Sequence, residues 1–328
     1  MRRLGFALAM ILPPAAPAAA GGFALHWPLG CVLGQDCYIQ QYVDHDPTPG
    51  ARDFTCAGLS YDGHRGTGIA LPFFSGMQAG VRVLAAADGA VAGTRDGMAD
   101  RDAADETAGA VKGRECGNGV VIRHAGGWET QYCHLKQGSV RVRTGDRVSA
   151  GTPLGEVGLS GRTEFPHLHL SLRKDGAVAD PFQAGPPGRC GTGGAQIWAE
   201  EVPYQPGGLT GGGFHTAVPD YAAVKAGRAD LAPLAADAPA LVFWTLAYGG
   251  RKGDEIILSA TGPGPGPGPG GEIFRQRTVL DKDQAQLFRA AGKRRNSAAW
   301  PAGSYSGNAV MRRGGQDISR YSQQMEIR

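Results

Sequence analysis

The stretch Pro166-His167-Leu168-His169-Leu170-Ser171-Leu172 alternates polar and apolar residues without a break. Successive side chains of a strand point to opposite faces, so His167, His169 and Ser171 project to one side and Leu168, Leu170 and Leu172 to the other. One face reads as core, the other as chemistry. Two histidines at i and i+2 can serve a common metal centre, one as ligand and the other directed at bound water or substrate. Taken alone, an H-x-H segment reads as two exposed strand histidines.

Outward from this strand the text keeps the same character. Val81 to Leu84, Gly89 to Gly93, Gly119 to Arg123, Glu129 to Leu135 and Arg147-Val148 are short β segments separated by glycine-containing turns. This spacing predicts an all-β, mainly antiparallel domain, and the 53 glycines fit a turn-dense fold. Asp96 to Glu115 is polar, lacks hydrophobic periodicity, and reads as a surface loop that forms one wall of a cleft.

After Pro181-Phe182 the composition shifts to Gly and Pro. The expected division is residues 21–184 as a first domain, 185–215 as a linker and 216–328 as a β-sandwich-like accessory domain. In that last unit Ala240 to Leu246, Glu255 to Leu258 and Ser304 to Val310 read as strands, and Asp281 to Ala291 as its one helix. The Gly-Pro repeat from Gly262 to Gly271 reads as an exposed loop, because proline donates no ladder hydrogen bond.

Met1-Arg2-Arg3, the apolar run to Leu12 and Ala18-Ala19-Ala20 read as a secretory signal cleaved near residue 20. Export follows, to the periplasm or beyond, with no membrane anchor. The formal charge of +3 includes Arg2 and Arg3, and removing them leaves too little to argue for nucleic acid. The six cysteines, at 31, 37, 56, 116, 133 and 190, read as disulfides in an exported chain. The pairing proposed is Cys31 with Cys37, Cys56 with Cys116, and Cys133 with Cys190.

Two further segments carry histidines: Gln131-Tyr132-Cys133-His134-Leu135, ending a strand, and Gly63-His64-Arg65-Gly66-Thr67-Gly68, a glycine-rich bend. In order and flanking residues, these and the H-x-H strand resemble the M23 (lysostaphin- or LytM-like) metallopeptidases, whose pattern is H-x-x-x-D, a Y-x-H-L-like strand, then H-x-H. The resemblance covers roughly Gly63 to Phe182. It implies a LytM-like antiparallel β domain and a Zn2+-dependent endopeptidase acting on the peptide cross-bridges of peptidoglycan. By it, His64 and His169 are zinc ligands, while His134 and His167 flank the metal-activated water and the oxyanion, in either order.

The family's third ligand, an aspartate four residues after the first histidine, is replaced here by Gly68. Three readings follow: Asp62 or Glu164 supplies the missing carboxylate; the domain is a degenerate, non-catalytic LytM-like regulator of a cell-wall amidase; or Gly68 is a single change in an active lineage. A biotinyl- or lipoyl-carrier scaffold, suggested by Ala86-Ala87-Asp88-Gly89 and Gly155-Glu156-Val157-Gly158, lacks the hairpin lysine that its cofactor needs. His26, His45, His124 and His215 read as solvated, and Cys133 as structural rather than nucleophilic. Trp128 and Tyr132 are candidates for a peptide groove and equally for core.

Overall fold

Leu168, Leu170 and Leu172 are at most 1% exposed, so the apolar half of the H-x-H strand does enter a core. The computed structural model describes residues 22–101, 111–185, 187–264 and 271–328. The predicted signal, the middle of the Asp96 to Glu115 loop and most of the Gly-Pro repeat lie outside the described residues. In chain order the first unit contains β1 (Tyr38–Gln41), β2 (Thr67–Ala70), β3 (Arg82–Leu84), β4 (Gly89–Arg95), β5 (Asn118–Arg123), β6 (Trp128–Leu135), β7 (Arg147–Val148), β8 (Pro153–Glu156), β9 (His167–Lys174) and β10 (Ala177–Ala179).

The main sheet runs β1-β2-β9-β6-β5-β4-β7, with β10 beside β9, while β3 and β8 form a separate pair. Every pairing in it is antiparallel. The strand bearing the H-x-H segment is therefore central, held by β2 on one side and β6 on the other. Ile69, Val120, Ile122, Tyr132 and Leu154, all 0% exposed, pack with the three leucines. Tyr132 belongs to this core, and its hydroxyl accepts from the Ala86 N–H at 2.7 Å. Trp128 stacks on Phe23 with ring centroids 4.6 Å apart.

The second unit is all β apart from a short helix at Tyr221–Lys225. Its strands are β11 (Gly208–His215), β12 (Ala240–Gly250), β13 (Glu255–Gly262), β14 (Gly271–Val279), β15 (Gln284–Arg294), β16 (Gly303–Arg313) and β17 (Gln316–Ile327). They form two sheets, β11-β12-β15 and β14-β13-β16-β17. Phe214, Leu241, Phe243, Leu258, Tyr305 and Met311 share the core that joins them.

Four sequence expectations change here. The helix expected over Asp281 to Ala291 is the strand β15: its Leu287 and Ala291 are spaced like one face of a helix, but ladder pairing with β12 satisfies the backbone instead. Residues 208–215, inside the expected linker, are β11, so His215 ends a strand. The glycines of β11 are packing residues: a Cβ on Gly211 would stand 2.5 Å from Phe73 Cζ, and one on Gly212 2.6 Å from the Trp244 carbonyl oxygen.

Cys31–Cys37 pairs as expected, but the other bridges are Cys56–Cys190 and Cys116–Cys133. Antiparallel pairing of β5 with β6 brings the chain just before β5 alongside Cys133, with Cα atoms 4.8 Å apart. Finally, two histidines that read as solvated are buried. His45 Nε2 lies 2.8 Å from Asp180 Oδ2. His124 Nδ1 lies 2.7 Å from the Asp88 carbonyl oxygen, and its Nε2 2.8 Å from Thr130 Oγ1.

The two units touch through aromatic residues. Tyr38 of β1 meets Tyr248 of β12 with ring centroids 4.3 Å apart. Gln205, in the connection, accepts from the Ile39 N–H at 3.1 Å and from the Tyr248 hydroxyl at 3.2 Å.

Candidate metal centre

β2, β6 and β9 lie side by side, and this arrangement collects the histidines. Register places Gly68 opposite His169, Ala70 opposite His167, and Cys133 opposite His169. Paired residues share a face, so plain alternation would send His134, next after Cys133, into the core. It does not go there. The His134 backbone is left-handed, with φ 64°, a region that histidine enters more readily than bulky or β-branched residues. The turn is pinned by a 2.8 Å hydrogen bond from the His134 N–H to the Cys116 carbonyl oxygen. Its ring thereby comes to 4.6 Å from that of His167 and 6.1 Å from that of His169.

His64 approaches from the bend before β2, and its Nε2 is 3.2 Å from His169 Nδ1. All four rings line one cavity of about 420 Å³. Gln40, Gln41, Tyr61, Arg162 and Glu164 line it too, as does Ala285 from β15.

One nitrogen of each ring is tied to the protein, and in three of the four a carbonyl partner fixes the tautomer. His64 Nδ1 donates to the Tyr42 carbonyl oxygen at 2.7 Å, and His134 Nδ1 to the Ser160 carbonyl oxygen at 2.8 Å. His167 Nδ1 is 3.1 Å from the Phe165 carbonyl oxygen and 3.0 Å from Thr163 Oγ1. Thr163 donates its own proton to that same carbonyl, so its oxygen is left to accept. His169 Nε2 sits 3.1 Å from Ser171 Oγ. Nε2 of His64, His134 and His167 is thereby left with a lone pair, while His169 Nδ1 faces His64 Nε2 at 3.2 Å. Such outer anchoring is the usual support of metal-binding histidines.

Burial removes competing protons. Desolvation holds His64 and His134 down to about 4 and drives His167 and His169 well below the ordinary histidine range. All four are neutral at pH 7, the state in which imidazole binds a metal. His64 Nε2, left to accept once Nδ1 donates to Tyr42, is within hydrogen-bond distance of His169 Nδ1 at 3.2 Å, and a cation would take the place of the proton between them. That spacing is close to the edge of a tetrahedron with metal–nitrogen bonds of about 2.0–2.1 Å. The pair His64 and His169 fits a zinc ion.

The rest of the ligand set departs from expectation. Asp62 and Glu164 are both exposed. Among the described residues, no group of three His, Cys, Asp or Glu in this cavity has its donor atoms mutually within 4.8 Å. Neither carboxylate stands beside the His64–His169 pair. One such group exists elsewhere, Cys31, Asp36 and Cys37, but its two sulfurs are joined in a disulfide and offer no thiolate.

Four contributors to the site were invisible in the sequence reading. Thr163 and the carbonyls of Tyr42 and Ser160 set the tautomers, and no motif announces them. Gln40 is 3% exposed, yet its Oε1 is buried without a hydrogen-bond partner. Leaving a buried acceptor unsatisfied costs about 1–3 kcal/mol, so this oxygen asks for a reason.

Comparison with known proteins covers the same segment. Residues 63–181 match the model of peptidase family M23. The chain is 41% identical over 64 residues to cell division protein DipM of Caulobacter vibrioides, covering 20% of this chain and 10% of that protein. It is 41% identical over 78 residues to DD-carboxypeptidase/endopeptidase Mpg of Neisseria meningitidis, covering 23% and 17%. It is 32% identical over 124 residues to peptidoglycan DD-endopeptidase ShyA of Vibrio cholerae, covering 38% and 23%. The chain thus spans under a quarter of the length of each of these relatives. The H-x-H strand, the His134 strand and the His64 bend, which converge on one cavity, all lie inside the residues, 63–181, that match peptidase family M23.

Proposed function

We propose that the chain hydrolyses peptide bonds of peptidoglycan outside the cytoplasm, at the four-histidine cavity. The observation that carries this reading is the convergence of four imidazoles on one cavity, three of them anchored through Nδ1 to backbone carbonyls: a domain that only binds peptide has no use for such a set. His64 Nε2 and His169 Nδ1 would hold zinc, which when bound polarises the scissile carbonyl and acidifies water. His134 and His167 supply the proton chemistry. A neutral imidazole at Nε2 accepts a proton from the attacking water and returns it to the leaving amine, and while protonated it can donate to the developing oxyanion. Arg162 and Glu164, exposed at the cavity, present opposite charges to the termini and side chains of a wall peptide. Disulfides and the expected signal agree with action in an oxidising compartment.

A second reading is favoured by the ligand count. With Gly68 where the family has aspartate and no carboxylate beside the His64–His169 pair, a domain that binds the wall and regulates a cell-wall amidase needs no metal. Release of soluble peptides from purified sacculi, with and without added zinc, separates the two. Hydrolysis predicts slow, zinc-dependent release that Gly68→Asp accelerates at least tenfold. If neither variant releases peptide while both bind sacculi, the regulatory reading replaces it.

A further inference from the structure

β1 pairs with β2 through Ile39 with Ile69 and Gln41 with Gly68, so Gln40 is an extra residue in the ladder. A bulge of this kind sets two residues against one and re-aims a side chain, often beside a functional site. Here the one residue opposed is Gly68, where the carboxylate is missing. A Cβ built on Gly68 would meet nothing nearer than His167 Cδ2 at 3.7 Å and the Gln41 backbone at 3.9 Å. The place of the lost side chain is therefore open, and the bulge borders it. Gln40 and Gln41 both line the cavity with His64 and His169, and Gln40 brings the buried Oε1 that has no partner.

We propose that Gln40 Oε1 is the third protein ligand of the metal, making a His64–Gln40–His169 site in which an amide oxygen from β1 replaces the carboxylate of β2. This rests on the metal-dependent reading above. The exchange has a chemical consequence. An amide is a neutral donor, so all three ligands are neutral, as in three-histidine zinc sites. The ion keeps its full double charge, is held less tightly than by a carboxylate set, and is a stronger Lewis acid.

The test is zinc affinity by competition with a chromophoric chelator, with cobalt(II) absorption as a coordination readout and thermal melts as a folding control. Gln40→Leu is expected to weaken zinc binding at least tenfold, and adding Gly68→Asp to that variant to restore it. Gln40→Glu, nearly isosteric, is expected to tighten binding at least tenfold and to alter the cobalt spectrum; it carries the test if the leucine variant does not fold. His64→Ala is expected to abolish binding. Wild-type affinity in Gln40→Leu or Gln40→Glu, with binding still lost in His64→Ala, overturns the role of Gln40 and leaves the histidine pair standing. A wild-type protein that takes up neither metal overturns both.

Discussion

A methyl group on Gly66 would stand 2.6 Å from His169 Nε2 and 2.7 Å from the Leu170 carbonyl oxygen, whereas one on Gly68 meets only ordinary contacts. The two glycines are two residues apart yet serve different ends: Gly66 lets β9 approach, while Gly68 leaves space. Gly66→Ala is therefore expected to cost about 1–3 kcal/mol and to weaken zinc binding by moving His169. Gly68→Ala is expected to be neutral or to stabilise by about 0.4–1 kcal/mol through the unfolded chain. Urea unfolding of the two variants checks the contrast. His124 gives a pH test at a distance from the metal ligands. Burial lowers its pKa, against hydrogen bonding to the Asp88 carbonyl. The folded state thus resists a proton that the unfolded chain takes up near 6.5. This stability is present above that value and is lost as pH falls through it towards the folded pKa. Melting between pH 7.5 and 5.5 is expected to show a shallower loss in His124→Gln than in the wild type.

Among the elements, the β1 segment and the loop behind it are held less by ladder than by bridges and buried polar pairs. Cys56–Cys190 ties that loop to the end of the first unit across a sequence separation of 134, whereas Cys31–Cys37 spans 6. In the loop-entropy treatment the long bridge contributes about 5 kcal/mol and the short one about 2. Replacing both cysteines of the long bridge by alanine is expected to lower the urea midpoint markedly more than the same change at the short one. The buried His45 and Asp180 pair joins the same two segments, so this part of the chain is cross-linked twice next to β1. A bulged strand that carries a ligand needs such a fixed base.

At the level of the whole molecule, the second unit is more than an appendage, because Ala285 of β15 lines the histidine cavity. Tyr38 and Tyr248, each at most 4% exposed, fix how β15 is presented. An enlarged side chain at position 285 should obstruct a peptide without touching a metal ligand. Ala285→Trp is expected to cut peptide release or sacculus binding at least fivefold while zinc affinity stays within twofold. An equal loss of zinc affinity would show instead that the cavity itself had been distorted.

Local pattern sufficed for the antiparallel sheet, for the three histidine segments and for the gap at Gly68, because each is written in short-range alternation and spacing. The convergence of His64, His134, His167 and His169 followed only from family resemblance, and strand alternation by itself would have buried His134 on the wrong face. The sequence alone determined that this chain holds an M23-type set of histidines without its aspartate. Tertiary structure decided the rest: which cysteines meet, that β11 and β15 are strands, and that neither Asp62 nor Glu164 stands beside the histidine pair. These outcomes depend on which distant segments share a ladder or a cavity wall, and Gln40, outside the matched segment, reaches the site only because β1 pairs with β2 through a bulge.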